Sequence, residues 1–168
     1  MTEKAGDRPI LVPIDFSPHS EAALLQAAEL ADALAAPLTV LHVVHDLGEA
    51  PGYYAVKGRK KQLRRLEDVA AEMLDEFMQG VRKKYPERTA LEKAATLLIV
   101  GIPVTRILET ANKIGARMIV MGSQGRTGIS HVLLGSKAEQ VVHLAGIPVM
   151  IVKDSKGKKG SSGKAHNA

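Results

Sequence analysis

The chain has 168 residues, of which 45% are hydrophobic but only 3% aromatic, and it contains no cysteine. That length suits a single domain with an aliphatic core, and the composition excludes disulfides, thiol nucleophiles and thiolate metal sites. The formal net charge of +5 lies mostly in the lysine-rich segment after Val152, so the nearly neutral body does not predict a nucleic-acid partner.

Apolar runs and helical patterns alternate through the first half of the chain. Residues 10–14 predict a strand, after which Ser17 should be the N-cap and Pro18 the first residue of a helix reaching about residue 35. A second strand is expected over 38–44. A loop over 45–58, rich in glycine and proline, then precedes a long amphipathic helix over 59–84.

The second half repeats this alternation. Strands are predicted over 96–100, 118–121 and 149–152. Gly101 and Pro103 should open the helix after the third strand, and Gly115 should end it. A shorter helix is expected over 136–145.

The strand patterns predict the fold class. Their apolar residues run continuously rather than alternating with polar ones, which indicates strands buried on both faces, as in a parallel sheet. Together with the intervening helices, this predicts a single-domain α/β fold with five parallel strands in the order 3-2-1-4-5 and helices on both faces. The domain should span residues 8–153, between a disordered leader over 1–7 and a disordered basic tail over 154–168.

No apolar run is long enough to cross a bilayer, and the first residues lack a secretory signal region. We therefore expect a cytoplasmic protein without membrane insertion.

A glycine pattern follows the fourth strand. Gly122 comes directly after the apolar run that ends at Met121, Gly125 follows three residues later, and Gly135-Ser136 opens the next helix. A glycine loop between a strand and a helix can present backbone N–H groups to a phosphate. The chain has neither the P-loop pattern nor the dinucleotide pattern Gly-x-Gly-x-x-Gly, and its histidines show no metal-ligand spacing, so no metal site is predicted.

The spacing Gly-x2-Gly-x9-Gly-Ser is the ATP-binding signature of the universal stress proteins, and the chain resembles that family over residues 8–153. The opening Val-Pro-Ile-Asp-Phe-Ser over 12–17 and the ending Gly-Ile-Pro-Val over 146–149 are also typical of it. The resemblance implies the fold of the adenine nucleotide alpha-hydrolase-like proteins. It also implies that Asp15 contacts adenosine, that the backbone at Val43 contacts adenine, and that the glycine loop and Ser136 hold the phosphates.

Open α/β sheets bind ligands at the carboxyl ends of their strands, beside the topological switch point. Three segments should meet there, and we predict a nucleotide site formed by Pro13, Ile14, Asp15, Val43, Met121, Gly122, Gly125, Arg126, Gly135, Ser136, Lys137 and Ala138. The expected cofactors are ATP and a Mg²⁺ ion that accompanies the triphosphate. No catalytic residue is identified, so the sequence supports at most a weak ATPase.

Several of these residues have structural alternatives. Gly122 alone would suit a strand-to-loop turn, Asp15 could favour the N-terminus of the first helix through the helix dipole, and Ser136 could be an N-cap. Arg126 could be a solvated loop residue. Lys137 and Ala138 stand where ATP-binding members often carry an apolar residue and a hydroxyl. Lys137 could contact a phosphate or lie on the surface.

Two functions remain in view. One is an ATP-binding universal stress protein acting as a nucleotide-dependent regulatory switch. The other is a nucleotide-free dimeric interaction module with the same fold. A homodimer should form through the last strand, Val149 to Val152, because an apolar edge strand favours pairing with a second copy. The basic run over 57–65 is interpreted as a solvated helix face first and as a phosphate or partner surface second. A third, weaker option is a nucleic-acid binder that uses the tail.

Overall fold

A computed structural model describes residues 8–45, 59–125 and 134–154, with side chains over the start of the long helix described from Leu66 onward. The strands form one parallel sheet in the order β3-β2-β1-β4-β5, which confirms the predicted topology. The strands are β1 (Ile10–Ile14), β2 (Leu38–His45), β3 (Ala95–Gly101), β4 (Met118–Gly122) and β5 (Val149–Val152).

Helices cover both faces of this sheet. They are α1 (Pro18–Leu34), α2 (Arg59–Lys84), α3 (Thr89–Glu92), α4 (Pro103–Lys113) and α5 (Ser136–Leu144). Along β1, Ile10 and Val12 pack into the core beneath α1, α2 and α3, whereas Leu11 packs into the core beneath α4 and α5. Because each strand supplies apolar side chains to both layers, its sequence is continuously apolar.

The predicted start of α1 at Ser17-Pro18 and the predicted end of α4 before Gly115 are confirmed. Ser17 caps α1 by accepting the Ser20 N–H at 3.1 Å, and Pro18 is the first helical residue. Gly115 follows α4 with φ +60°, a left-handed conformation that suits glycine at a helix end. Gly101, in contrast, is the last residue of β3 and not the start of α4.

The short helix α3 has no counterpart among the predicted elements. Its N-terminus is capped from a distance by Asp32 of α1, whose carboxylate accepts hydrogen bonds from the Thr89 hydroxyl at 2.6 Å and the Ala90 N–H at 2.8 Å. Because this cap comes from a residue far away in sequence, local pattern does not reveal it. Leu91 of α3 is fully buried in the core beneath α1.

The leader over 1–7, the basic run over 57–65 and the tail beyond residue 154 were interpreted from sequence alone. The leader, residues 57–58 and residues 155–168 lie outside the described residues, as do the side chains over 59–65. Within the described part of the chain, none of the helices combines the length and apolarity that a bilayer crossing requires.

Replacing Asp32 with alanine should lower the free energy of unfolding by about 1 kcal/mol, because it removes the cap of α3. Urea denaturation followed by circular dichroism measures this change. Asp75→Ala, which removes an exposed carboxylate from α2, is the matched control and should leave stability within about 0.5 kcal/mol of the wild type. Equal stabilities for the two variants would contradict the capping role of Asp32.

Candidate functional site

A cleft with a volume of about 590 Å³ opens at the carboxyl ends of β1, β2 and β4. It lies where the strand order reverses, the position expected for a ligand site in an open parallel sheet. Eleven of the twelve residues predicted for the site line it, namely Pro13, Ile14, Asp15, Val43, Met121, Gly122, Gly125, Gly135, Ser136, Lys137 and Ala138. The twelfth, Arg126, lies outside the described residues.

Asp15 holds the turn between β1 and α1. Its Oδ1 accepts the Ser17 N–H at 3.1 Å, which ties the carboxylate to the start of the helix. Its Oδ2 lies against Gly125, so closely that a Cβ at position 125 would come within 2.8 Å of it. The same carboxylate therefore supports the helix start, as one interpretation expected, and faces the glycine loop.

His42 lines the floor of the cleft beside Val43. Its Nδ1 lies 2.9 Å from the carbonyl oxygen of Ile14, and because a carbonyl only accepts, Nδ1 carries the proton and donates it. This hydrogen bond joins the ends of β1 and β2. His42 therefore both lines the cleft and holds the end of β1 in place.

Further cleft residues did not appear among the sequence predictions. They are Ser20, Leu41, His42, Pro103, Ile107 and Gln124. Ile107 belongs to the apolar stripe of α4 and contributes to the core, so its sequence signal is the same as that of a purely structural residue. Pro103 begins α4, and only the packing of that helix across the sheet brings it to the cleft.

The described ends of the glycine loop are joined at Ser123, whose side chain is buried. The Ser123 N–H donates to the carbonyl oxygen of Val152 at 2.8 Å, and the Ser123 carbonyl accepts the Gly135 N–H at 2.7 Å. These two bonds connect the end of β4 to the end of β5 and to the start of α5. The start of α5 is consequently held beside the ends of β1 and β4.

The N-terminus of α5 opens into the cleft, and its N-cap residue, Gly135, has no side chain with which to cap it. Gly135 is the N-cap residue and Ser136 the first helical residue, so the alternative that Ser136 caps the helix is wrong. The first N–H groups of a helix lack intrahelical acceptors and carry partial positive charge. Lys137 adds a full positive charge in the same turn, so this end of the cleft suits an anion.

Packing against α1 requires a glycine at position 122, which the sequence pattern did not reveal. A Cβ at this position would lie 2.8 Å from the main-chain carbon and oxygen of His19, in the first turn of α1. A glycine is therefore needed for α1 to pack this closely against the end of β4. The structure thus adds a requirement of the fold to the interpretation of Gly122 as a phosphate contact.

The cleft combines apolar walls with one anion-binding end. Met121, Leu41 and Ile107 supply apolar surface, whereas Asp15 and Lys137 supply charge. Within the part of the chain that the structure describes, no cluster of three or more histidine, aspartate or glutamate residues has the arrangement of a metal site. The geometry therefore suits a ligand with a flat apolar portion and an anionic portion.

Comparison with known proteins shows which family this chain resembles. The model of the universal stress protein family matches residues 7–153. The chain is 34% identical to universal stress protein YxiE of Bacillus subtilis over 153 residues, covering 86% of this chain and 97% of that one.

Two solved structures share the architecture. Universal stress protein UspA from Lactobacillus plantarum superimposes with a TM-score of 0.73 at 27% identity, covering 89% of this chain and 99% of that one. A universal stress protein from Archaeoglobus fulgidus, solved in complex with dAMP, gives a TM-score of 0.55 at 26% identity, covering 87% and 98% of the two chains.

Gly122→Ala should destabilise the protein by about 1–3 kcal/mol, because the added methyl group forces α1 away from β4. Gly80→Ala is the matched control, since Gly80 lies inside α2 and a methyl group there would meet no atom within 4 Å, and it should be neutral or slightly stabilising. Chemical denaturation of both variants measures the difference. A Gly122→Ala protein as stable as the wild type would contradict the packing constraint.

Proposed function

The chain belongs to the universal stress protein family, and we propose that it is a cytoplasmic member that binds ATP and acts as a nucleotide-dependent regulatory switch. Hydrolysis in this proposal is slow at most. The observation that carries it is the N-terminus of α5, which has a glycine as its N-cap residue and opens into the same cleft as the ends of β1 and β2. A nucleotide has the matching chemistry, with an apolar base and an anionic phosphate chain.

The adenosine portion belongs at the end formed by β1, β2 and α4. Val43 offers its backbone at the end of β2, and Pro103 and Ile107 supply an apolar wall against which a base can pack. Asp15 offers a carboxylate to the hydroxyls of a ribose. The dAMP complex of the related protein from Archaeoglobus fulgidus supports an adenine nucleotide as the ligand class.

The phosphate portion belongs at the start of α5. Gly125 and Gly135 leave the backbone accessible there, and the N–H groups of residues 136–138 belong to the first turn of the helix. Lys137 can add a charge-assisted hydrogen bond to a phosphate oxygen. In this chain, the lysine takes the place of the apolar residue that often follows the Gly-Ser pair in ATP-binding members.

A Mg²⁺ ion should accompany the triphosphate. Among the cleft residues that the structure describes, Asp15 is the one carboxylate, and its Oδ1 already accepts a hydrogen bond from the Ser17 N–H. The groups at the start of α5 are N–H donors and a lysine, which suit phosphate oxygens but not a cation. The ion would therefore be held mainly by the phosphates and water, as Mg²⁺ commonly is.

The titratable side chains of the described cleft favour binding over rapid turnover. Asp15 accepts a hydrogen bond from the start of α1, His42 donates one to the end of β1, and Lys137 is a cation in the expected phosphate region. The first two groups have main-chain partners, at Ser17 and at Ile14. None of the three is placed as a general base near the terminal phosphate, which supports a switch over an efficient ATPase.

Lys137→Ala should weaken ATP binding about tenfold and leave adenosine binding unchanged, because it removes a charge-assisted contact to phosphate alone. Isothermal titration calorimetry with ATP, Mg²⁺ and adenosine measures both affinities. Lys113→Ala, an exposed lysine in the last turn of α4, is the control and should bind as the wild type does. Gly135→Ala should weaken binding less than Lys137→Ala, because a methyl group there meets its nearest atom at an ordinary 3.4 Å.

The absence of any heat or thermal shift at millimolar ATP would overturn the nucleotide proposal. The nucleotide-free interaction module would then be the better description. The surface around β5 favours this second candidate, since Val142 and Leu144 of α5 are 42% and 64% exposed and all four residues of the edge strand are partly exposed.

The homodimer through Val149 to Val152 is part of both proposals. A second copy would extend the sheet at its apolar edge and cover the exposed side chains beside it. Val149→Lys should shift the protein towards monomer at micromolar concentration, as measured by sedimentation velocity. Val69→Lys, at an exposed apolar position on α2, is the control and should leave the dimer intact. A monomeric wild-type protein under these conditions would refute the interface.

A further inference from the structure

We propose that Phe16 is a positioning residue for the nucleotide cleft and that Phe77, on a helix outside the cleft, holds Phe16 in place. The inference rests on the proposed function, which supplies the ligand. It adds that side-chain contacts connect α2 to the nucleotide cleft. Three observations carry it: the backbone conformation of Phe16, the contacts of its ring, and the location of Phe77.

The backbone of Phe16 has φ +63°, in the left-handed region that a bulky side chain rarely adopts. The residue stands between Asp15, which lines the cleft, and Ser17, which caps α1. A residue in this conformation persists only where its surroundings hold it, and such residues concentrate at functional sites. If Phe16 relaxed to an ordinary conformation, the Asp15 carboxylate would turn away from its contact with Gly125.

The ring of Phe16 supplies the restraint. Its centroid lies 4.3 Å from that of His42 and 5.6 Å from that of Phe77, the latter in an edge-to-face arrangement with an interplanar angle of 66°. His42 in turn donates to the carbonyl oxygen of Ile14 at 2.9 Å. The three rings therefore form one packed row that ends on the cleft floor, and the same row fixes the residue that follows Asp15.

The row of rings extends beyond the cleft, because Phe77 is not among the described residues that line it. Phe77 belongs to α2, which packs on β2 and β3 and contributes no residue to the described lining of the cleft. A displacement of α2 would release one side of the Phe16 ring without touching any group that faces the ligand. The position of α2 is thereby coupled to the position of Asp15 and His42.

Substitutions on α2 test this coupling without altering the cleft. Phe77→Ala should weaken ATP binding about threefold to tenfold, because it removes one aromatic contact that holds Phe16. Met73→Ala, one turn earlier and 37% exposed, should bind as the wild type does. Leu74→Ala, which is 4% exposed in the core, should lower stability yet leave affinity unchanged while the protein is folded. Phe77→Tyr keeps the aromatic ring and should therefore bind ATP with the affinity of the wild type.

A second variant tests the ring of Phe16 itself. Phe16→Gly permits the same backbone conformation without steric conflict but removes both ring contacts, and it should also weaken ATP binding. Wild-type affinity in either Phe77→Ala or Phe16→Gly would overturn the proposal. So would an equal loss of affinity in Phe77→Ala and Leu74→Ala, because this would indicate a general effect of stability.

The ring protons of His42 provide a readout that needs no nucleotide. Their NMR chemical shifts contain a ring-current contribution from Phe16, so Phe77→Ala should move them and Met73→Ala should not. If the wild-type protein binds no ATP, the proposed function fails, and this measurement alone decides the positioning role. Unchanged His42 shifts in Phe77→Ala would overturn it.

Discussion

The close approach of α1 to the end of β4 is the constraint on which the cleft depends. At Gly122 the two backbones leave no room for a side chain, since a Cβ would come within 2.8 Å of the His19 main chain. This contact sets where α1 begins relative to the central strands. The turn that contains Asp15 is consequently held against the glycine loop, and the space above the sheet remains open for a ligand.

The charged and polar groups of the cleft come from different parts of the chain. Asp15 follows the end of β1, and the start of α5 is bonded through Gly135 to Ser123 at the end of β4. A carboxylate and a helix N-terminus thus line the same cleft. Its apolar surface comes from Leu41 of β2, Met121 of β4 and Ile107 of α4, so the site forms where separate βα connections meet.

The cleft is also joined to elements that do not line it. Ser123 bonds to the end of β5, the edge strand proposed for dimerisation, and the Phe16 ring joins the cleft floor to α2. Packed interiors transmit displacement because they have few voids to absorb it. A ligand that changes the position of the glycine loop or of Asp15 therefore acts on groups that are directly bonded to the edge strand and packed on an exposed helix. This arrangement is what the proposed regulatory switch would require.

The sequence by itself determined the sheet and most of the cleft lining. Continuous apolar runs require two covering layers, Ser17-Pro18 and Gly115 set helix ends through local chemistry, and the glycine spacing identified the loop that meets the strand ends. Each of these signals is local, because it depends on the conformation or burial of neighbouring residues. Tertiary structure alone decided the cap of α3 by Asp32, the contact of Gly122 with His19, and the places of Ile107 and His42 in the cleft. Those features join residues far apart in sequence, and an apolar or glycine residue carries the same pattern whether it faces a core, a neighbouring backbone or a ligand.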